Sequence, residues 1–238
     1  MSKGRYDVVT AQSPRDIQSA QALRALAFGL NTPLDRDPFD ASQRHILVRE
    51  RSGGRLVCCF RIGVFEGADI TGSYAAQFYG LGSLAGFDGK MMELGRFCVH
   101  PDAADPDIVR IAWAALTEFV DSQGIKLLFG CTSFKGTDPD AFLGSFALLA
   151  RCHLAPRAWY PAEGADEVLR FADQTGGKVD RKEAMQQMPP LLRTYLLMGG
   201  WVSDHAVVDR QMNTMHVFTG LEIDAIPENR KRLLRGLV

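Results

Sequence analysis

Residues Glu93 to Pro101 read ELGRFCVHP, an apolar stretch that carries a carboxylate and a guanidinium three residues apart. Apolar neighbours such as Leu94 and Phe97 predict a β-strand with little contact to water. Buried charges need partners, and burial raises the pKa of a carboxylate toward the range in which it accepts a proton near neutral pH. Glu93 is therefore a candidate general base. A structural ion pair between Glu93 and Arg96 is the alternative.

The segment after this strand predicts a helix and then a buried strand. Asp105 with Pro106 just inside is a typical helix start, and apolar residues at helical spacing continue until Gly124 ends the pattern. The apolar run Leu127–Thr132 predicts a second strand, and a further helix is expected to begin at Asp138.

The segment before Glu93 predicts a strand, a helix and a hairpin. Tyr6–Thr10 is the expected strand, and Ser13 is the expected N-cap of the helix that follows. Residues 31–44 have no periodicity and predict a loop. The stretches His45–Arg49 and Arg55–Phe65 are separated by a Ser-Gly-Gly turn, which predicts an antiparallel pair.

The C-terminal third is less regular. Residues 161–188 are expected to be an excursion, with the polar stretch Asp173–Glu183 as a linker. A short helix over Leu191–Met198 and strands over Trp201–Val208 and Met215–Leu221 follow. Early hairpins combined with later helices predict an α+β fold with a mixed sheet. Residues 1–238 are expected to form a single domain of this fold.

Composition excludes several classes of protein. The chain has 238 residues, 46% of them hydrophobic, and a net charge of −1, so nucleic-acid binding is not expected. The N-terminal residues lack the apolar core of a signal peptide, which predicts a cytoplasmic protein. Five cysteines without paired spacing predict buried free thiols, and neither a metal site nor a bound cofactor is expected.

The order of these motifs resembles the GNAT-like N-acyltransferases, whose mostly antiparallel twisted sheet is flanked by helices. Within that superfamily the chain is similar to the bacterial ornithine N-acyltransferases, which make lyso-ornithine lipid from acyl-acyl-carrier protein. The acyl-homoserine lactone synthases are similar in the N-terminal half. The segments that carry the resemblance are QALRALAF, DRDPFDASQRHILV, LVCCFRIG, MMELGRFCVHPD, LLFGCTSFKGTDP and PPLLRTYLLMGGWVSDHAVVD.

The resemblance implies transfer of a fatty acyl group, which can be 3-hydroxylated, to the α-amino group of ornithine. Glu93 would take the amine proton, and Arg96 would orient Glu93 or hold the acceptor carboxylate. Two carboxylates suit a doubly cationic amino acid, although Asp37 and Asp40 also fit simple turn chemistry. The substrate-binding residues implied in this way are Arg24, Asp37, Asp40 and His45.

The same resemblance implies a carrier-protein donor with a phosphopantetheine thioester. Acetyl-CoA-dependent members carry a glycine-rich loop before the helix at Pro106, and this chain has HPDAADPD there instead. The N-terminus of that helix would face the phosphate of the arm, although three acidic residues oppose it. The implied donor-binding residues are Phe97, Cys98, Val99 and Ser133. A lipid product implies a transient contact with the inner face of the membrane.

Four other functions are alternatives. The pair His100 and Asp105 matches the HxxxxD pattern of glycerolipid acyltransferases, and Cys98 with His100 is a formal nucleophile and base. An enzyme like the acyl-homoserine lactone synthases is a third alternative. A non-catalytic module that binds acyl-carrier protein or lipid is the fourth, because the relatives' basic residue after His100 is replaced by alanines.

Overall fold

The computed structural model of the chain describes residues 1–174 and 180–236, without the side chains of Ser2, Lys3 and Gln174. The chain divides into two compact units. Unit 1 holds Met1–Val64, Met92–Ile125 and the described residues from Glu228 onward, and unit 2 holds Phe65–Met91 and Lys126–Pro227. The expectation that residues 1–238 form a single domain stays a prediction.

Twelve strands and six α-helices occur in the described residues. The strands are β1 (Ser2–Lys3), β2 (Tyr6–Thr10), β3 (Arg44–Glu50), β4 (Leu56–Phe65), β5 (Tyr79–Gly80), β6 (Lys90–Val99), β7 (Ile125–Lys135), β8 (Ala162–Glu163), β9 (Val168–Arg170), β10 (Trp201–Val202), β11 (His205–Asp209) and β12 (Thr214–Glu222). The helices are α1 (Pro14–Phe28), α2 (Pro106–Gln123), α3 (Leu143–Cys152), α4 (Arg181–Gln187), α5 (Pro190–Leu197) and α6 (Glu228–Arg235).

Unit 1 is built on a sheet in the order β1-β2-β3-β4-β6. The β1–β2, β2–β3 and β3–β4 pairs are antiparallel, and the last of them confirms the pair that the Ser-Gly-Gly turn predicts. Both turn glycines, Gly53 and Gly54, have positive φ angles of 85° and 68°, a region that glycine enters without a steric penalty. Any other residue would therefore strain this hairpin.

Capping residues set the ends of the two long helices of unit 1. The Ser13 hydroxyl accepts a hydrogen bond from the backbone N–H of Asp16 at 3.2 Å, and Pro14 occupies the first helical position of α1. Gly124 ends α2 in the left-handed conformation, with φ at 64°. Both predicted helices are confirmed, because these local signals do not depend on distant contacts.

Strand β6 contains one residue in a rare conformation. Arg96 has a φ of 53°, in the left-handed region that non-glycine residues seldom occupy. A residue in this conformation costs about 1–3 kcal/mol and interrupts the strand's two-residue alternation. The side chains before and after Arg96 therefore do not alternate regularly between the two faces of the sheet, and the direction of the Arg96 side chain is not set by that alternation.

Unit 2 has a sheet in the order β7-β12-β11-β9, with β10 also paired to β12 and a separate β5–β8 pair. The expected strand over Trp201–Val208 is wrong in one respect, because Ser203 and Asp204 separate β10 from β11. There the Ser203 hydroxyl donates to the His205 carbonyl at 2.6 Å and accepts from the Phe218 N–H at 3.1 Å. The Ser203 N–H also donates to the Phe218 carbonyl at 3.0 Å, so side-chain and backbone bonds together hold the break against β12.

The excursion predicted for residues 161–188 carries more structure than a linker. It contains β8, β9 and helix α4, which Asp180 caps by accepting from two backbone N–H groups. Part of the predicted linker, residues 175–179, lies outside the described residues. Among the described residues no helix combines the length and the apolar character needed to cross a membrane.

Candidate active site

Three carboxylates from the loop before β3 meet three arginines inside unit 1. Each arginine lies on a different regular element, so the sheet and helix α1 together place all three around the loop. The carboxylates are Asp35, Asp37 and Asp40, and the arginines are Arg24 on α1, Arg61 on β4 and Arg96 on β6.

These six side chains form a closed ring of alternating charge, called the six-charge ring below. Asp40 pairs with Arg24 and Arg61, Asp37 with Arg61 and Arg96, and Asp35 with Arg96 and Arg24. The shortest ion-pair distances, in order around the ring, are Arg24–Asp40 2.8 Å, Asp40–Arg61 2.8 Å, Arg61–Asp37 2.5 Å, Asp37–Arg96 3.2 Å, Arg96–Asp35 2.9 Å and Asp35–Arg24 2.9 Å.

Asp40 is the most heavily bonded carboxylate of the ring. Arg24 binds it through both terminal nitrogens, at 2.8 and 3.0 Å, and Gln21 Nε2 donates to it at 2.8 Å. Burial acts to raise the pKa of Asp40, but the hydrogen bonds from Arg24, Gln21 and Arg61 outweigh it and hold that pKa well below its usual range. Asp40 is therefore ionised throughout the neutral range.

Arg24 and His45 complete the surroundings of Asp40. Burial opposes the charge of Arg24, yet the hydrogen bond to Asp40 and the charge of Asp35 raise the pKa of its guanidinium. His45 Nε2 lies 3.1 Å from the Asp40 carbonyl oxygen, and burial lowers the pKa of the imidazole below 6.5. His45 is accordingly a neutral donor to the loop backbone.

Exposure separates the ring into a buried floor and a more accessible edge. The side chains of Arg24 and Arg61 are each 1% exposed, whereas those of Asp37 and Arg96 are 13% and 12% exposed. Asp37 also caps the short 3-10 turn Pro38–Asp40 by accepting from the Phe39 N–H at 2.9 Å. Turn chemistry and ion pairing are thus both present at Asp37.

Glu93, the candidate base, lies on β6 and is 1% exposed. Gln43, the residue before β3, donates a hydrogen bond from Nε2 to Glu93 Oε2 at 2.7 Å. Arg96, which sequence analysis placed with Glu93, has ion pairs to Asp35 and Asp37. Unit 1 therefore contains both the six-charge ring and a buried carboxylate, Glu93, whose hydrogen-bond partner is the Gln43 amide.

The predicted donor-binding residues fall in different places. Phe97 stacks on Phe60 with ring centroids 5.5 Å apart, and Cys98 is buried with its Sγ 3.6 Å from Cys59 Sγ. Val99 is half-buried at the end of β6, and Ser133 is exposed on β7 of unit 2. The donor-binding role of all four residues stays a prediction.

The cysteines are free, and the expected burial is confirmed for Cys58, Cys59 and Cys98. It is wrong for Cys131, which is only partly buried, and for Cys152, which is exposed. Cys152 is the last residue of α3. Burial raises the pKa of the Cys58 thiol, and the hydrogen bond with Cys59 followed by burial raises that of Cys98. A raised pKa keeps a thiol protonated, which opposes the nucleophile alternative.

The N-terminus of α2 is already occupied by a side chain. Asp105 caps the helix by accepting from the Asp107 N–H at 3.0 Å, and it also accepts from the Tyr6 hydroxyl at 2.7 Å and from Arg5. The backbone hydrogen bond, followed by that of Tyr6, lowers the pKa of Asp105. A carboxylate at this end opposes the binding of a phosphate. The phosphate site expected at the N-terminus of α2 stays a prediction.

The HxxxxD alternative lacks geometric support. His100 Nδ1 contacts Arg55 Nη2 at 3.2 Å and accepts from the Asp102 N–H at 3.2 Å, and its backbone N–H donates to the Val57 carbonyl at 2.8 Å. Asp105 uses its oxygens for the helix cap. Across the described parts of the chain, no three His, Cys, Asp or Glu side chains form a group suited to a metal ion.

Sequence reasoning missed four residues of this site: Asp35, Arg61, Gln43 and Gln21. Arg61 carried a usable signal, because a charge within the apolar strand LVCCFRIG needs a buried partner as much as Arg96 does. Asp35 lies in the same aperiodic loop as Asp37. Nothing in the pattern around Gln21 and Gln43 distinguishes them from solvent-facing glutamines.

Matches to known proteins identify the chain as a GNAT-type acyltransferase. A family model described as an acetyltransferase (GNAT) domain matches residues 23–114, which include the six-charge ring and Glu93. Among solved structures, FeeM, an N-acyl amino acid synthase from uncultured soil microbes, superposes with a TM-score of 0.53 at 11% identity, covering 93% of this chain and 94% of that one. At this identity the likeness shows the fold alone.

Comparison of sequences narrows the class. The L-ornithine N(alpha)-acyltransferase of Rhodobacter capsulatus is 31% identical over 95% of this chain and 93% of its own length. That of Rhizobium meliloti is 29% identical over 91% of this chain and 79% of its own length. The chain belongs to the L-ornithine N(alpha)-acyltransferase family.

Proposed function

We propose that this acyltransferase moves a fatty acyl group, which can carry a 3-hydroxyl, from acyl-carrier protein to the α-amino group of L-ornithine. The product is lyso-ornithine lipid. The names of the relatives support ornithine as the acceptor. The observation that carries the chemistry is Glu93, a carboxylate 1% exposed and hydrogen-bonded to Gln43 at 2.7 Å.

The reaction needs one base and one leaving group. The amine nitrogen attacks the thioester carbonyl carbon, so that a C–N bond forms and the C–S bond breaks. Two protons leave the ammonium nitrogen overall; one goes to the departing phosphopantetheine thiolate and the other reaches solvent through Glu93. A positioned general base of this kind typically contributes about 10²- to 10⁴-fold to the rate.

The accessible edge of the six-charge ring supplies groups for the acceptor. Asp37 is assigned to the δ-ammonium group of ornithine, and Arg96 to its carboxylate. Arg24, Asp40 and His45 lie deeper, and their bonds serve to hold that edge in place. This assignment refines the substrate-binding set expected from the sequence, because Asp40 already accepts four side-chain hydrogen bonds.

The carrier-protein donor rests on local chemistry at α2. Coenzyme A carries a pyrophosphate, whereas the phosphopantetheine arm carries a single phosphodiester. The acidic Asp102, Asp105 and Asp107 disfavour the larger negative charge. No bound cofactor is part of the proposal. Because the product is a single-chain lipid, the proposal includes transient contact of this cytoplasmic enzyme with the inner membrane face.

The test is mass spectrometry of lipids from a heterologous host that expresses the chain, followed by assays with purified protein, acyl-carrier protein, acyl-CoA and a panel of amino acids. Glu93→Gln is the active-site variant, and Glu118→Gln, an exposed glutamate of α2 in the same unit, is its matched control. A monoacylated ornithine species is expected with wild type and Glu118→Gln and is expected to fall at least 100-fold with Glu93→Gln.

Other outcomes identify the alternatives. Equal turnover with acyl-CoA would remove the carrier-protein preference and leave the acceptor assignment intact. Carrier-protein binding without acylation of any amino acid, by a folded wild type, would favour a non-catalytic module. Undiminished turnover by Glu93→Gln would assign the base to another group.

A further inference from the structure

Gln43 occupies a constrained position between the acidic loop and β3. Its backbone N–H donates to the Phe39 carbonyl oxygen at 3.0 Å, and the residue is 7% exposed. The side-chain amide reaches Glu93 on β6, a residue far away in the sequence. Gln43 is therefore held from both ends, by its backbone and by its side-chain hydrogen bond.

The hydrogen bond to Glu93 determines which way the Gln43 amide faces. An ionised carboxylate only accepts hydrogen bonds, so the NH2 group of the amide must be the side that meets Glu93 Oε2. Oε1 of Gln43 consequently points away from Glu93. That oxygen is buried and has no hydrogen-bond partner among the described residues.

A buried acceptor without a donor is costly and therefore uncommon. It marks a place where a ligand can supply the missing hydrogen bond. In the planar Gln43 amide, the acceptor Oε1 is attached to the same carbon as Nε2, which is the hydrogen-bond partner of Glu93. A nitrogen that carries several N–H bonds could donate to Gln43 Oε1 while another of its protons faces Glu93.

We propose that Gln43 is an acceptor-binding residue, whose Oε1 accepts a hydrogen bond from the α-nitrogen of the amino acid while its Nε2 orients Glu93. This inference rests on the proposed function and deepens it. Because the Gln43 amide is neutral, it positions the nitrogen without competing with Glu93 for the proton. The arrangement therefore selects acceptors that have an α-amine at this position.

Gln18 supplies a matched control for Gln43. It is an exposed glutamine of α1 in the same unit and has no part in the six-charge ring. Gln43→Met and Gln18→Met each replace a side-chain amide by an apolar side chain of similar length. Only Gln43→Met removes the hydrogen bond to Glu93 and the unpartnered oxygen next to it.

The binding experiment compares L-ornithine with 5-aminovalerate, which lacks only the α-amine, by calorimetry in the absence of donor. Wild type and Gln18→Met are expected to prefer ornithine by the same ratio. Gln43→Met is expected to reduce that ratio about tenfold, which is the size of one net hydrogen bond. In steady-state assays its KM for the acyl donor should not change.

A second variant gives a readout that a purely structural role would not move. Gln43→Glu keeps an acceptor oxygen and places a second carboxylate next to Glu93, so the two groups share a proton. The acidic limb of the pH profile of kcat/KM is expected to shift to higher pH by about one pH unit or more. Gln18→Met should leave that limb where it lies in wild type.

The outcomes separate this inference from the proposed function. If wild type acylates ornithine and Gln43→Met keeps the full preference over 5-aminovalerate, Gln43 does not bind the α-amine; in that case a water satisfies Oε1 and the inference is overturned. The same holds if Gln18→Met reduces the preference equally. If wild type acylates no amino acid, the proposed function fails and the inference fails with it.

Discussion

Replacement of Arg61 by methionine tests whether the six-charge ring stabilises unit 1. Arg61 is 1% exposed and pairs through Nη1 with Asp37 at 2.5 Å and with Asp40 at 2.8 Å. Methionine fills much of the volume of the arginine stem and removes the charge. The two carboxylates then remain buried with one partner fewer.

The expected cost follows from what remains. Removal of one partner of a buried ion pair typically costs about 3–5 kcal/mol. Asp40 retains Arg24 and Gln21, and Asp37 retains Arg96, so we expect about 3 kcal/mol, the lower end of that range. With a urea m-value of about 2–3 kcal/mol per M, the unfolding midpoint should fall by about 1–1.5 M.

The control is Arg110→Met, which breaks an exposed pair with Asp107 in the same unit. Exposed pairs contribute about 0.2–1 kcal/mol, so its midpoint should fall by less than about 0.5 M. Urea unfolding at pH 7, followed by circular dichroism, measures both variants. An Arg61→Met midpoint no lower than that of Arg110→Met would refute a stabilising role of the ring.

The pH dependence of the difference provides a second check. The pKa of Asp40 is lowered from 3.8 in the folded protein, so its stabilisation is complete above about pH 5 and is lost as the pH falls through the unfolded-state value toward the folded one. In Arg61→Met the pKa of Asp40 in the folded protein should be lowered less than it is in wild type, because one of its hydrogen-bond donors is gone. The gap between wild type and variant is therefore expected to narrow below about pH 4.

Three further changes are predicted. Burial lowers the pKa of His45 from 6.5, so wild type should lose stability as the pH falls below 6.5. In His45→Gln the urea midpoint should therefore depend less on pH between pH 7 and 5.5 than it does in wild type. A Cβ at Gly220 would lie 2.4 Å from the Trp201 ring, so Gly220→Ala should lower the melting temperature by several degrees, whereas Gly72→Ala, with open space, should not. Ser13→Ala removes the N-cap hydrogen bond of α1 and should cost about 1 kcal/mol in urea unfolding.

Local signals predicted most of unit 1. The N-cap at Ser13, the glycine stop at Gly124 and the hairpin glycines act through backbone conformation within a few residues, and the structure confirms all of them. The break between β10 and β11 was not predicted, because Ser203 and Asp204 look compatible with a strand. Their departure from it depends on hydrogen bonds to Phe218 and Tyr160, which lie elsewhere in the chain.

The candidate site was predicted in part. Glu93 and Arg96 stood out because charges in an apolar strand are unusual at the level of sequence alone. The partners of Arg96 were missed, since Asp35 and Asp37 lie about sixty residues earlier and only the fold brings them to β6. Gln43 gave no signal, because a glutamine reveals its role only through its burial and its hydrogen bond to Glu93.

The amino-acid sequence by itself determined the α+β class, the ends of α1 and α2, the first hairpin and the choice of Glu93 as a candidate base. Periodicity, caps and turns depend on neighbouring residues, and they can therefore be read without knowing the fold. Only the tertiary structure decided that Arg24, Arg61 and Arg96 share three carboxylates in one ring and that Gln43 holds Glu93. The physical reason is that ion pairing and burial depend on distances between residues far apart in the chain, and packing alone sets those distances.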